Sequence, residues 1–181
     1  KGCQTDGHRF IGQAIAQGAA AVVVEDHTPD LQGITAVRTS DSRLALAHMA
    51  AALNDHPSRD LTLIGITGTN GKSSSVFLTK KILEVAGHKT GMLNSLVYDT
   101  GAKSYKADRT TPESLDVQRY LAEMKDAGCT HGVVEVSSHA LVLSRVENIN
   151  FKVGLFTTFS RDHLDFHNTM EEYLAAKKLF L

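Results

Sequence analysis

The chain has 181 residues, of which 42% are hydrophobic and 22% are charged, and its formal net charge at pH 7 is -1. This composition predicts a globular protein with its own core, and the lack of an overall basic charge argues against a nucleic-acid partner. No apolar run approaches the roughly 20 residues that a membrane-spanning helix needs, so we expect no membrane association. The two cysteines have no metal-ligand spacing and favour a cytoplasmic location over a disulfide scaffold.

The first part of the sequence predicts two helices and two strands. In chain order these are a helix over 10–17, a strand over 20–25, a strand over 34–37 and a helix over 42–53. Gly18 ends the first helix, and Asp41 lies near the start of the second. The polar segment 56–60 contains proline, and we predict a domain boundary between residues 58 and 59.

The second part alternates strands and helices, which is typical of a mostly parallel α/β sheet flanked by helices. The predicted elements are a strand over 61–66, a helix over 73–86, a strand over 90–96, a hairpin over 97–107, a helix over 112–127 and strands over 132–136 and 153–159. Ligands of such sheets bind at the carboxyl ends of the strands. Because the chain begins at Lys1 and stops at Leu181 within a helical pattern, we expect a piece of a longer protein.

Segment 64–74 has the features of a phosphate-binding loop. A short strand leads into glycines that let the backbone approach an anion closely, and then into a helix start. Lys72 can reach the outer phosphates of ATP, and the Ser73 hydroxyl can ligate the accompanying Mg²⁺. The usual spacing would place a glycine at position 66, which is Ile66, so the match is partial. The predicted nucleotide contacts are Gly68, Thr69, Asn70, Gly71, Lys72, Ser73 and Ser74.

Two further polar positions follow predicted strands. Glu135 ends a buried strand, where a carboxylate needs a partner, and we predict it as a second Mg²⁺ ligand, with a capping or salt-bridged glutamate as the alternative. His163 follows the last strand beside Asp162, and such a histidine can ligate a metal through one ring nitrogen. We interpret His167 as a surface or supporting group. On pattern alone, Lys177 is a solvated helix lysine.

Four motifs occur in order along the chain, and they span residues Thr67–Ser73, Thr110–Pro112, Glu135–Leu141 and Ser160–His167. Together with Tyr173–Lys177 and, more weakly, Asp6–Ile11, they resemble the Mur ligases of bacterial cell-wall synthesis, specifically the UDP-N-acetylmuramoyl-tripeptide synthetases of the MurE type. The resemblance implies a small, partial α/β UDP-binding domain over 1–58. It also implies an incomplete P-loop-type ATP-binding domain over 59–181 and an amino-acid-binding domain beyond the chain.

The resemblance further implies an ATP-dependent amide ligase. ATP would phosphorylate the terminal carboxylate of UDP-N-acetylmuramoyl-L-alanyl-D-glutamate, and a diamino acid, either meso-diaminopimelate or L-lysine, would attack the acyl phosphate. Lys72 and Mg²⁺ would offset the repulsion between the two anions. By resemblance, Ser73 and Glu135 hold one Mg²⁺ and His163 serves a second. Lys177 matches a lysine that CO₂ carbamylates for the second metal site, with Lys178 as an alternative register.

Substrate-binding positions of the family match Thr110, Thr111, Ser137 and Arg145, whereas Arg109 stands where some members carry asparagine. The expected partners are small-molecule substrates, without nucleic acid or membrane, and the expected state is a monomer. Two alternatives remain open. One is a folylpolyglutamate-synthase-like ligase, which would bind a pterin rather than a UDP-sugar. The other is a non-catalytic nucleotide-binding fragment, which would bind ATP without turnover.

Overall fold

The computed structural model of the chain describes residues 6–25 and 33–180. The chain forms two compact units, Lys1–Leu46 and Ala47–Leu181. Cys3 and Leu181 lie outside the described residues. The division falls within a helix, upstream of the boundary predicted at residues 58 and 59, which remains a prediction.

The described part of the first unit contains two short helical segments and two strands, followed by the start of a longer helix. They are a 3₁₀ turn Gly7–Phe10, α1 Ile11–Ala16, β1 Ala21–Val24, β2 Thr35–Arg38 and α2 Ser42–Leu53. β1 and β2 pair in parallel, in a register that runs from Ala21 opposite Thr35 to Val24 opposite Arg38. A carboxylate oxygen of Asp41 accepts hydrogen bonds from the backbone N–H groups of Arg43 and Leu44 in the first turn of α2, both at 2.9 Å. The predicted elements of this part are confirmed.

The second unit contains six strands and five further helices in its described part. In chain order they are β3 Thr62–Thr67, α3 Lys72–Val85, β4 Thr90–Leu93, β5 Val97–Asp99, β6 Ser104–Lys106, α4 Ser114–Asp126, β7 His131–Glu135, α5 Ser138–Val142, β8 Phe151–Phe156, α6 Leu164–His167 and α7 Met170–Lys178. A 3₁₀ turn, Pro57–Arg59, precedes them. Within 6–25 and 33–180, none of the helices combines the length and apolar character needed to cross a bilayer.

Three predicted elements have a boundary that differs from the structure by two residues or more. The strand predicted over 90–96 ends at Leu93, because the side-chain oxygen of Asn94 accepts from the N–H groups of Leu96 and Val97 and turns the chain. The helix predicted from position 112 begins at Ser114, with Glu113 as its N-cap. The last strand runs over 151–156 instead of 153–159.

The six strands form one sheet in the order β6-β5-β4-β7-β3-β8. β4, β7, β3 and β8 are mutually parallel, while β5 and β6 form the predicted antiparallel hairpin. α3 connects β3 to β4 across β7, and the chain later reaches β8 on the other side of β3. The connection from β3 toward β4 and the connection from β7 toward β8 therefore run in opposite directions along the sheet, and ligands of such sheets bind at the carboxyl ends of the strands at this point. The predicted α/β class with a mostly parallel sheet is confirmed.

Successive side chains of a strand point to opposite faces of the sheet, and an apolar core forms on each face. One cluster joins Leu63, Leu93 and Val134 to α4. The other joins Ile66, Met92 and Val133 to Val76 of α3. Because side chains two positions apart on a strand share a face, Glu135 follows Val133 on the α3 side. Its carboxylate therefore emerges beside the start of α3.

Candidate active site

A glycine-containing loop joins the end of β3 to the start of α3. Gly68 has φ +140° and Gly71, the N-cap of α3, has φ +82°, both in the region that favours glycine. A Cβ atom at Gly68 would lie 2.0 Å from Thr157 Oγ1 and 3.0 Å from the backbone nitrogen of Thr158. Position 68 therefore requires glycine both for its backbone conformation and for space, and the loop delivers the chain into the positive end of a 14-residue helix.

Residues after β8 brace this loop. Thr157 Oγ1 and Thr158 Oγ1 donate hydrogen bonds to the carbonyl of Asn70, at 2.7 and 3.2 Å. The N–H of Thr69 donates to the carbonyl of Thr158 at 2.8 Å. From α7, the hydroxyl of Tyr173 lies 3.1 Å from Thr69 Oγ1. The sequence did not predict these bracing contacts, because about a hundred positions separate the residues from the loop. Tyr173 lies in the segment Tyr173–Lys177 that carries the resemblance, but no role was predicted for it.

Glu135 is buried beside the helix start, with 2% of its surface exposed. Its Oε2 accepts from the hydroxyls of Ser73 at 2.9 Å and Ser95 at 3.1 Å, and its Oε1 lies 4.0 Å from Lys72 Nζ. Ser73 and Glu135, the two predicted ligands of one Mg²⁺, are thus in contact. Hydroxyl and carboxylate oxygens are the donors that Mg²⁺ prefers. The loose ion pair with Lys72 also fits the alternative interpretation of a salt-bridged glutamate. Ser95 was not predicted.

A cavity of about 280 Å³ lies next to this group. Its lining combines a lysine of the loop, residues from three of the other sequence motifs and two arginines outside them. It consists of Lys72, Arg109, Thr110, Thr111, Ser137, His139, Arg145 and His163. All four predicted substrate-binding residues are therefore in one place together with Lys72 and His163. Glu135 and Lys177 are not among the lining residues. His139 was not predicted, although it lies within the motif that begins at Glu135.

Hydrogen bonds at the carboxyl end of β7 hold the substrate-binding motifs together. Thr111 Oγ1 donates to the carbonyl of Glu135 at 2.7 Å and accepts from the N–H of Ser137 at 3.0 Å. Ser137 Oγ in turn accepts from the N–H of Ala140 and caps α5. Arg145 Nη1 donates to the carbonyl of Thr111 at 3.2 Å. The hydroxyl of Thr111 thus makes hydrogen bonds within the protein, and Thr111 also lines the cavity together with Thr110 and Arg145.

His163 belongs to a cluster of histidine rings. Its ring stands edge-on to His139 with centroids 5.0 Å apart, and its Nε2 lies 3.6 Å from Asp162 Oδ2. Burial, reinforced by the neighbouring His163, lowers the pKa of His139. His167 is buried, its Nε2 lies 2.8 Å from Ser138 Oγ, and burial lowers its pKa as well. The interpretation of His167 as a surface residue was wrong, because α6 turns its side chain inward, whereas its interpretation as a supporting group agrees with the contact to Ser138.

Lys177 is buried, with 1% of its surface exposed, whereas Lys178 is exposed. Its Nζ donates to the carbonyl of Gly68 at 2.7 Å and lies 4.7 Å from the ring centroid of Tyr173. Burial first, and then the charge of Lys72, lowers the pKa of Lys177 to about 8. The pattern-based interpretation of a solvated lysine was wrong. Its spacing of four from Tyr173 places it on the packed face of α7, a signal that could have identified it.

The predicted metal ligands form two separate groups. Ser73 and Glu135 are in direct contact, and His163 and Lys177 both contact the ring of Tyr173. In the part of the chain that the structure describes, no three His, Cys, Asp or Glu side chains converge in a metal-binding arrangement. The donor sets therefore consist of one hydroxyl with one carboxylate, and one imidazole with one amine.

Two families match the chain. The family described as Mur ligase middle domain matches residues 66–181, and the family described as Mur ligase family, catalytic domain, matches residues 1–54. Relatives with the name UDP-N-acetylmuramoyl-L-alanyl-D-glutamate--2,6-diaminopimelate ligase occur in Alkaliphilus metalliredigens and Clostridium perfringens. The first is 46% identical over 98% of this chain and the second 47% identical over 99%. The chain spans 36% and 37% of the length of these curated relatives.

Solved structures show the same fold. A structure of a UDP-N-acetylmuramoyl-L-alanyl-D-glutamate--2,6-diaminopimelate ligase matches 94% of this chain and 34% of its own, with a TM-score of 0.79 and 25% identity. MurF from Thermotoga maritima in complex with ADP matches 99% of this chain and 38% of its own, with a TM-score of 0.59 and 20% identity. FolC from E. coli with ADP matches 77% of this chain and 39% of its own, with a TM-score of 0.56. Because one family covers more than half of its length, the chain belongs to the Mur ligase family.

Proposed function

We propose that this chain is part of an ATP-dependent ligase that joins a diamino acid to UDP-N-acetylmuramoyl-L-alanyl-D-glutamate during peptidoglycan synthesis. The observation that carries the proposal is the cavity that joins Lys72 of the phosphate loop to Thr110, Arg145 and His163. The names of the relatives support 2,6-diaminopimelate over L-lysine as the incoming amino acid. The likeness to FolC, at 20% identity, concerns the fold alone and does not favour a folate substrate.

The proposed reaction brings two anions together. An oxygen of the terminal carboxylate attacks the γ-phosphorus of ATP and releases ADP, and the amine then attacks the acyl carbon and displaces inorganic phosphate. Lys72 and Arg145 carry the positive charge that offsets the repulsion within the cavity. Ser73 and Glu135 would hold a Mg²⁺ ion, which when bound neutralises charge on the phosphates. Gly68 to Ser74 would contact the nucleotide, as the loop motif predicts.

We also propose that Lys177 is carbamylated by CO₂ and that it serves, with His163, a second Mg²⁺. The lowered pKa of Lys177 supports this proposal, because the neutral amine is the form that reacts with CO₂. Its position supports it too, because Lys177 lies against the loop while Lys178 is exposed to solvent. A carbamate would also convert a buried cation beside Lys72 into an anion, which removes one repulsion.

Domain organisation, location and oligomeric state complete the proposed function. We propose that a UDP-binding domain ends and an ATP-binding domain begins between residues 58 and 59, since the two family matches end at 54 and begin at 66. We further propose that the protein is a cytoplasmic monomer that binds small-molecule substrates.

Phosphate release by the full-length protein tests the proposed function. The reaction contains ATP, Mg²⁺ and UDP-N-acetylmuramoyl-L-alanyl-D-glutamate, with 2,6-diaminopimelate and L-lysine supplied in separate samples. We expect release that depends on diaminopimelate. ATP binding without release in either sample would overturn the proposal and favour a non-catalytic nucleotide-binding role. A pterin substrate in place of the UDP-sugar serves as the control for a folate ligase.

A further inference from the structure

One carboxylate contacts both arginines of the cavity. Glu113 Oε1 lies 2.7 Å from Arg145 Nη2 and 3.3 Å from Arg109 Nη1, and Glu113 Oε2 accepts from Arg145 Nε at 3.1 Å. The contact with Arg145 is bidentate, which fixes the plane of the guanidinium. Arg145 is also mostly buried, with 11% of its side chain exposed, whereas 49% of Arg109 is exposed.

The cavity itself has a strongly positive lining. It contains Lys72, Arg109 and Arg145, and none of its eight lining residues, all within the described part of the chain, is acidic. Glu113 is not one of the lining residues, so it pairs with the two arginines from outside the cavity surface. Glu135 and Asp108 also lie near the cations, at 4.0 Å from Lys72 and 3.9 Å from Arg109, but neither carboxylate lines the cavity. The charges that face the cavity are therefore positive, and an anionic ligand can use them.

Glu113 also solves a physical problem of this arrangement. Two guanidinium groups that face the same space repel each other, and a half-exposed arginine ordinarily loses rotamer entropy when it binds a ligand. A carboxylate shared by both groups reduces the repulsion and orders Arg109 before the ligand arrives. A guanidinium has five N–H donors, so each arginine retains donors for a ligand while it contacts Glu113.

From these contacts we infer that Glu113 is a positioning residue that holds Arg109 and Arg145 together as a two-arginine clamp for an anionic group of the substrate. The inference deepens the proposed function and rests on it for the identity of the substrate. The clamp recognises an anion with at least two acceptor oxygens, which the substrate offers in its peptide carboxylates and in its diphosphate. Arg109 thereby becomes a substrate-contacting residue of this site.

Equilibrium binding tests the clamp without turnover. Isothermal titration of the full-length protein with UDP-N-acetylmuramoyl-L-alanyl-D-glutamate, without ATP, is compared for wild type, Arg109→Gln, Glu113→Gln and the double variant. We expect each single variant to weaken binding by about tenfold or more, since each removes a charge-assisted contact or its orientation. We expect the double variant to be only slightly weaker than either single one, because both changes disable one unit.

α4, the helix that Glu113 caps, offers a matched control. Arg119 and Asp116 form an ion pair at 3.1 Å, and Arg119 is half-exposed like Arg109, but neither residue lines the cavity. Arg119→Gln and Asp116→Asn make the same charge changes, and we expect binding within about twofold of wild type. Equal losses for Arg109→Gln and Arg119→Gln would overturn the clamp, as would an unchanged affinity in Glu113→Gln with an unchanged unfolding temperature.

Two shortened ligands identify the anion. One lacks the D-glutamate and the other lacks the UDP group. If the Arg109→Gln penalty disappears with the ligand that lacks glutamate, the clamp binds a carboxylate. If it disappears with the ligand that lacks UDP, the clamp binds the diphosphate. The failures of the two proposals are distinguishable. If the wild type binds the substrate but releases no phosphate, only the proposed ligase function is contradicted. If the wild type turns over and all variants bind the substrate with equal affinity, only the clamp is contradicted.

Discussion

Buried polar residues define the site at the scale of single residues. Glu135 is almost fully buried, and the hydroxyls of Ser73 and Ser95 together with the ammonium of Lys72 compensate its charge. A buried ion without such partners costs several kcal/mol, so these three groups are what makes the burial of Glu135 tolerable. Motif spacing in the sequence identified Glu135, Ser73 and Lys72. It could not identify Ser95, which follows an ordinary strand and lies in no motif.

Lys177 predicts a measurable pH dependence of stability. Burial lowers its pKa to about 8 from the usual 10.5. Between these values the unfolded state binds more protons than the folded state, so the free energy of unfolding rises with pH. Below about 8 the lysine is charged in both states, and above about 10.5 it is neutral in both, so the contribution of Lys177 is constant in each range. The rise amounts to at most about 3 kcal/mol.

Urea denaturation in CO₂-free buffer, repeated across this pH range, measures the effect. We expect Lys177→Met to flatten the rise, and Lys178→Met, a change at the exposed neighbour, to leave it as in wild type. Equal slopes in the two variants would show that Lys177 is not the titrating group. Addition of bicarbonate to wild type then tests the proposed carbamate. CO₂ reacts only with a neutral, accessible amine, so it stabilises the state that presents Lys177 in that form.

At the scale of secondary-structure elements, the strands and helices around the phosphate loop hold it in place together. β3 and α3 carry the loop, while Thr157 after β8 and Tyr173 of α7 brace it from the other side. Periodicity and glycine positions predict β3 and α3 correctly. They cannot predict the braces, because hydrogen bonds between distant segments depend on the order of strands in the sheet, which the pattern leaves open.

Alanine substitutions at the two loop glycines distinguish the effect of backbone conformation from the effect of steric space. Gly71 has a positive φ, but a Cβ atom at this position would meet no atoms within 4 Å, so we expect Gly71→Ala to cost about 1 kcal/mol and to leave nucleotide binding measurable. Gly68 has φ +140° and would place its Cβ against the backbone of Thr158, so we expect Gly68→Ala to abolish ATP binding. Fluorescent-nucleotide titration and thermal unfolding of the full-length protein measure both effects. Equal ATP affinity in the two variants would contradict this role of the loop glycines.

At the scale of the whole molecule, the sequence predicts the class of the fold better than its arrangement. Alternating strands and helices indicate a parallel sheet, and the Asp99–Gly101 turn indicates the hairpin at its edge. The placement of β7 between β3 and β4 has no local signal, although it is what brings Glu135 next to α3. The pattern also placed Lys177 incorrectly in solvent and left His167 open as a surface or supporting group, because the burial of both depends on neighbours that only the folded chain supplies.

In the proposed reaction, a substrate carboxylate in the cavity that Lys72 lines is activated by phosphorylation. The most direct test supplies the full-length protein with ATP, Mg²⁺, 2,6-diaminopimelate and UDP-N-acetylmuramoyl-L-alanyl-D-glutamate in which both oxygens of the terminal carboxylate are the heavy isotope. In the proposed reaction the attacking carboxylate oxygen stays with phosphorus when the amine displaces phosphate. Mass spectrometry of the released phosphate should therefore find one heavy oxygen in each molecule. Phosphate without the label, released at the rate of amide formation, would contradict the proposed activation.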